Sequence, residues 1–159
     1  MSDCFLKFDK IDGEVSDGDA SLVGAIRLVA WNWGAFQYAG DGRAKAKGSA
    51  GEIKQFSFSY VLDAAAVNFM QHCVVNKVVP KALLTMRRAG GKAQTYLTIA
   101  FTEVRFVSVD FVHDPTNDIP LVRVTFSFLT VEARYSEQSA TGANKTGAQT
   151  FSHKLDAVS

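Results

Sequence analysis

The sequence predicts a mainly β fold, a small closed sheet with a single helix packed at its side, and three observations carry that prediction. Apolar and polar residues alternate with period two in segment after segment, as in Phe56-Ser57-Phe58-Ser59-Tyr60. Several of these segments are long and change parity partway. A strand does this where it bends or bulges, and long bent strands are what a small closed sheet requires. Only Asp63 to Asn76 has good helical character.

In that stretch Asp63 has the side chain of an N-cap, and Ala64, Ala65 and Ala66 follow with the highest intrinsic helix propensity. Ala66, Phe69, Met70 and Cys73 fall at i, i+3, i+4 and i+7, one stripe of a helix that needs a sheet to cover. Asn68, Gln71 and Lys77 take the outer side, and Pro80 stops any continuation.

The strands follow in order. Leu6 and Phe8 alternate with Lys7 and Asp9 up to the turn signal Ile11-Asp12-Gly13-Glu14. Val15 to Gly24 is acidic and small and reads as a surface loop. From Ala25 to Tyr38 the apolar residues sit first at Ile26, Leu28 and Ala30, then also at Val29, Trp31 and Trp33. Either both faces are partly covered or a bulge switches them. Ala39 to Gly51 has four glycines and no large apolar residue, with Arg43, Lys45 and Lys47 against Asp41. It cannot bury enough to fold alone and is expected to be an exposed, mobile loop.

After the helix, Leu84 and Met86 alternate with Thr85 and Arg87, and Ala89-Gly90-Gly91-Lys92 turns the chain into Tyr96 to Thr102. Val104 and Phe106 share a parity that Val107, Val109 and Phe111 break, which predicts a bulge or bend around Phe106. His113 to Pro120 reads as a loop, Leu121 to Tyr135 as the strongest strand with another parity switch, and Ser136 to Gly147 as small and polar. Phe151, His153 and Leu155 alternate as a last strand would.

With 159 residues, 47% of them hydrophobic, residues 1–159 are expected to form one domain around one core. Seventeen basic residues against 16 acidic ones leave a formal charge of +1, so nothing general draws the chain to nucleic acid or an anionic membrane. No apolar run approaches the roughly 20 residues needed to span a bilayer, and the opening Met1-Ser2-Asp3-Cys4 lacks a signal peptide's basic and apolar regions. Two cysteines are too few for a disulfide scaffold, which fits a reduced, cytoplasmic chain.

No seat of catalysis is visible. His72, His113 and His153 have no metal-ligand spacing among them, and Asp114 to Asp118 lacks the central glycine and the closing glutamate of a calcium loop. Gly42 and Gly48 have the look of a phosphate loop, but Gly48 is not followed by its lysine, and there is no G-x-S-x-G. No cofactor or metal is expected. One binding signal remains, Lys54-Gln55-Phe56-Ser57-Phe58, which interleaves a base with aromatics on a strand. This supports an alternative reading as a nucleic-acid-binding β-barrel that uses Phe56, Phe58 and the basic loop. Core aromatics explain the same pattern.

Taken together, the segments resemble the haemolysin-coregulated protein family of bacterial type VI secretion systems. Phe5-Leu6-Lys7-Phe8-Asp9-Lys10-Ile11-Asp12-Gly13-Glu14 is similar to the family's opening, and Ala30-Trp31-Asn32-Trp33-Gly34 to its A-W-S-W-G, with Asn32 where the family has serine. Leu84-Thr85-Met86-Arg87-Arg88-Ala89-Gly90-Gly91 resembles its L-T-I-R-K-A-G-G, and Tyr96 to Val104 and Val124 to Tyr135 complete a pattern covering most of the chain.

The resemblance implies a β-barrel of two sheets with one helix at its side. It implies a structural protein, not an enzyme: the subunit of the type VI inner tube, a homohexameric ring that stacks into a hollow tube carrying small effectors in its lumen. The implied partners are further copies of the chain, the contractile sheath and spike proteins, and effectors, with no membrane or nucleic acid. The implied location is the bacterial cytoplasm before firing, then secretion without a signal peptide. Strand geometry puts Asn32 on the face opposite Trp31 and Trp33, which are expected to be buried behind it, and the resemblance makes that face the lumen. By resemblance too, the loop with Gly40, Asp41, Arg43, Lys45 and Lys47 is the extension that touches the next ring.

Overall fold

The computed structural model describes residues 2–16, 20–37, 51–88, 94–138 and 144–155. Along the chain lie β1 (Ser2–Phe8), a short 3-10 turn (Ala20–Leu22), β2 (Ile26–Asn32), β3 (Ala35–Phe36), β4 (Glu52–Ile53) and β5 (Phe56–Val61). There follow α1 (Ala64–Val75), β6 (Val79–Arg88), β7 (Gln94–Asp114), β8 (Ile119–Ser127), β9 (Thr130–Gln138) and β10 (Asn144–Lys154). The main strands run in the order β10-β9-β7-β6-β1-β2-β5-β8, and β8 returns to pair with β7. That last pairing closes β7-β6-β1-β2-β5-β8 into a barrel, made of two sheets that share β2 and β7, with β9 and β10 added on the first half of β7.

β7 joins the two sheets because it changes partners midway. It pairs with β9 as far as Thr102 and with β8 from Arg105 onwards. Between them Glu103 takes a left-handed backbone conformation, φ 50°, which turns the strand through the corner. The predicted bulges are present. The register shifts between Leu28 and Ala30 on β2 and between Phe106 and Ser108 on β7, so Val29 and Val107 are the extra residues and both point outwards.

Inside the barrel the alternating positions meet as an aromatic core. Phe8, Phe56, Phe58, Phe69, Phe101, Phe106 and Phe126 are all buried. Phe101 meets Phe126 edge to face at 5.0 Å, as Phe8 meets Phe69, an arrangement that aromatic quadrupoles favour. The helix contributes Ala65, Ala66 and Phe69 to this core. Its expected stripe is only partly covered, since Met70 and Cys73 are half-buried: the contact is centred on the first half of α1, where Phe69 reaches Phe8, Phe58 and Phe106.

Asp63 is the N-cap. Its carboxylate accepts from the Ala65 N–H at 2.9 Å and from the Tyr60 hydroxyl at 3.0 Å, and burial, with the Asp63 charge beside it, pushes the Tyr60 phenol above its ordinary range. At the other end Asn76, φ 54°, gives a left-handed cap. The helix therefore stops there and Pro80 lies beyond it, as the second residue of β6.

Three loop and strand expectations need correction. Val15 to Gly24 is not merely a surface loop, because Leu22 and Ala25 close over Phe5 in a small second core on the outer side of β1. The chain passes so close here that a Cβ on Gly13 would lie 2.5 Å from the Ala25 carbonyl oxygen. Leu121 to Tyr135 is two strands, β8 and β9, because the parity switch at Phe128-Leu129 is a corner between different partners on β7. His113 to Pro120 is shorter than a loop. Asp114 pairs with Ile119 across a tight turn, where Asn117 Nδ2 and the Thr116 N–H donate to the Asp114 carboxylate and hold it below the usual range. The polar stretch after Tyr135 continues β9 to Gln138 and supplies the start of β10, because ladder pairing, not an apolar face, keeps it extended. The turn at Ala89 to Lys92 lies outside the described residues, whereas the strand containing Phe151 and His153 is present as β10.

Candidate functional site

The sheet of β2, β5, β8 and β7 has two unlike faces. Inward it presents Phe56, Phe58, Tyr60, Val122, Val124 and Phe126, all buried. Outward the same strands present short polar side chains, and the ladder register sets them in lateral rows. Asn32 is opposite Ser57, Ser57 opposite Thr125, and Thr125 opposite Ser108. One step along the strands, Ala30 is opposite Ser59, Ser59 opposite Arg123, and Arg123 opposite Asp110. Members of a row stand about 5 Å apart, the spacing of neighbouring strands. Ser57 Oγ and Thr125 Oγ1 are hydrogen-bonded at 2.9 Å, and the rows form the floor of an open groove of about 360 Å³.

Asn32 is exposed on this face, and the bulge at Val29 puts it there by shifting the alternation so that Trp31 and Trp33 turn inwards. The two tryptophans are half-buried, not buried as expected. Trp31 stacks on Phe56 at 5.6 Å, Trp33 meets Phe101 edge-on at 6.4 Å and donates from Nε1 to the Lys54 carbonyl at 3.0 Å, and the rest of each large ring stays wet. Gly40, Asp41, Arg43, Lys45 and Lys47 lie outside the described residues; the described stem of that segment is the short β3–β4 pair, Ala35 to Ile53 and Phe36 to Glu52.

Two other readings lose their residues. Phe56 and Phe58, which a nucleic-acid-binding surface would need for stacking on bases, have 0% and 3% of their surface exposed. The histidines stay apart. His72 Nδ1 bonds the Asn68 carbonyl, His113 Nε2 the Asp118 carboxylate, and His153 stacks on Phe151. Among the described residues no group of three His, Cys, Asp or Glu stands close enough to hold a metal ion. Cys4 is buried and its thiol is pushed up to about 12 by desolvation, against a smaller opposing hydrogen bond with Trp31, so it carries no thiolate at neutral pH.

A family model described as type VI secretion system effector, Hcp, matches residues 5–135. The chain belongs to the Hcp family. A curated relative, protein hcp1 of Pseudomonas aeruginosa, is 35% identical over 96 residues, which cover 60% of this chain and 59% of that protein. A type VI secretion system effector from Yersinia pestis is 26% identical, with a TM-score of 0.76 over 96% of this chain and all of that one. Hcp1 from Salmonella typhimurium is 27% identical, with a TM-score of 0.74 over 96% and 94%. The family model and the Yersinia pestis structure both carry the description of a type VI secretion system effector. No helix among the described residues is long and apolar enough to cross a membrane.

Of the site residues expected from sequence, Asn32 stands where alternation placed it. Ser57 and Ser59 are also legible as the positions between buried aromatics, but Thr125, Ser108, Arg123 and Asp110 were missed as their partners. Period-two patterning says which face a residue takes, while the lateral neighbour depends on strand register, which no local signal in these segments encodes.

Proposed function

We propose that this Hcp chain, folding as one unit, is the subunit of the type VI inner tube. Six copies close into a ring, rings stack into a hollow tube inside the contractile sheath and behind the spike, and the lumen carries small effectors that leave with the tube from the bacterial cytoplasm. The observation that carries this reading is apolar surface with no use in a lone subunit. Both bulge residues are valines turned outwards, Val29 61% and Val107 49% exposed, and Phe111 on the second half of β7 is 50% exposed. A bulge residue could be polar at no cost to the core, so valines there fit contact with another protein surface, and a closed ring of identical copies satisfies each such patch.

In this reading Asn32 lines the lumen, where its amide offers cargo both donors and acceptors. Gly40, Asp41, Arg43, Lys45 and Lys47 serve stacking between rings, because exposed ion pairs are individually weak, about 0 to 1 kcal/mol, and become a firm contact only when repeated around a ring. Light scattering at micromolar concentration tests the ring and secretion tests the loop, using the natural chain and one in which Gly40 to Ala50 is replaced by a short Gly-Ser turn. Rings are expected from both, with secretion lost in the shortened chain when each is expressed in a sheath-competent host. A mass of 17.3 kDa for the natural chain, that of the monomer, sinks the ring. Normal secretion of the shortened chain removes the loop from stacking.

A further inference from the structure

The second outward row, Ala30, Ser59, Arg123 and Asp110, contains a cation that no described residue engages. Arg123 is exposed on β8 between Val122 and Val124, both buried, so its side chain stands away from the core. Among the described residues no hydrogen bond or ion pair engages its guanidinium, although Asp110 is its register partner on β7 and is itself exposed. Around it the floor is short hydroxyls, Ser57, Ser59, Ser108 and Thr125, which are all half-buried and lower than an arginine side chain. The guanidinium fork therefore rises from a shallow polar groove, next to the row that contains Asn32.

We propose that Arg123 is a recognition residue for carried protein, taking carboxylates of an acidic segment that lies across the β2-β5-β8-β7 face. The inference rests on the tube reading, in which this face is the lumen wall. Two features of the site support it. A guanidinium matches a carboxylate with two parallel hydrogen bonds, so it selects acidic over amide or basic side chains where hydroxyls select little. Asp110 beside it is a competing anion whose pairing across an exposed sheet is worth less than about 1 kcal/mol, weak enough for a cargo carboxylate to displace it. Contact made by one exposed cation per subunit is weak and reversible, and six copies make it avid for a segment bearing several acids.

The test uses fluorescein-labelled peptides of about ten residues, alternating serine with glutamate, glutamine or lysine, and follows fluorescence anisotropy at low salt. The natural chain is expected to bind the glutamate peptide in preference to the other two. Arg123→Gln is expected to weaken that binding at least about fivefold, the loss of a single exposed ion pair of 1 kcal/mol, while Asp110→Asn tightens it by removing the competitor. Equal affinity for the glutamate and glutamine peptides, or an Arg123→Gln chain that binds as well as the natural one, overturns the proposal. Light scattering on the same samples separates this result from the ring. Rings without a glutamate preference remove the recognition residue alone, and a monomer that keeps the preference removes the ring alone.

Discussion

The two faces of the β2-β5-β8-β7 sheet are built from the same strands and differ in almost everything else. On the inner face each position is buried against several others, with Phe126 within 6.3 Å, centroid to centroid, of Phe8, Phe56, Phe58, Phe101, Phe106 and Phe128. On the outer face the residues touch mainly their row neighbours and solvent, and one hydroxyl pair, Ser57 with Thr125, is bonded across strands. Alternation lets one strand serve both ends. The barrel takes its stability from one parity and is free to vary the other, so changes to the outer rows are expected to alter binding without altering the fold.

The largest break in that contrast comes from the inner side. Phe126→Ala removes a ring packed on six others and is expected to cost about 3 to 5 kcal/mol, read as a lowered denaturant midpoint with an unchanged slope. A loss under about 1 kcal/mol would mean that the core re-collapses around the gap. Charging the interior by pH is a gentler route. The Cys4 thiol is raised from 9.0 to about 12, so the folded state favours the neutral thiol, and its contribution is fully present below pH 9 and lost as pH rises from 9 towards 12. At pH 10 this amounts to about 1.4 kcal/mol, and the decline between pH 8 and pH 10 is expected to be shallower in Cys4→Ala. Identical slopes in the two chains would show that the thiol titrates freely. The smallest effect on stability belongs outside. Asn32→Glu is expected to shift it by no more than about 0.5 kcal/mol and leave the ring mass unchanged, while effector retention falls. Loss of the fold would place Asn32 in a packed environment.

How much of this was legible in the sequence follows from the same distinction. The inner parity shows plainly in Phe56, Phe58 and Tyr60 and in the alternation of Leu97, Ile99 and Phe101. The helix shows in its N-cap, Asp63, and in Phe69. What period two does not tell is why a parity breaks. At Val29 and Val107 the break is a bulge within one strand, whereas at Phe128-Leu129 it is a corner between two strands, and the local sequence is equally apolar in all three. The continuation of β9 to Gln138 was hidden for another reason: its residues are polar and are held extended by pairing with β10. In the site, Asn32 could be placed because two tryptophans flank it. Arg123 and Asp110 are thirteen residues apart and meet only through the turn at Pro115 to Asp118, so their partnership became visible only with the register.

β7 is a single backbone of 21 residues that supplies hydrogen-bonding edges to β6 and β9 in its first half and to β8 in its second. A load applied to one sheet therefore passes into the other along covalent bonds, without crossing a side-chain interface. The sheets cannot shear past each other unless the ladders along β7 break together, and the flap of β9 and β10 is tethered to the same beam. Under load, the chain behaves as one girder and not as two plates pressed face to face.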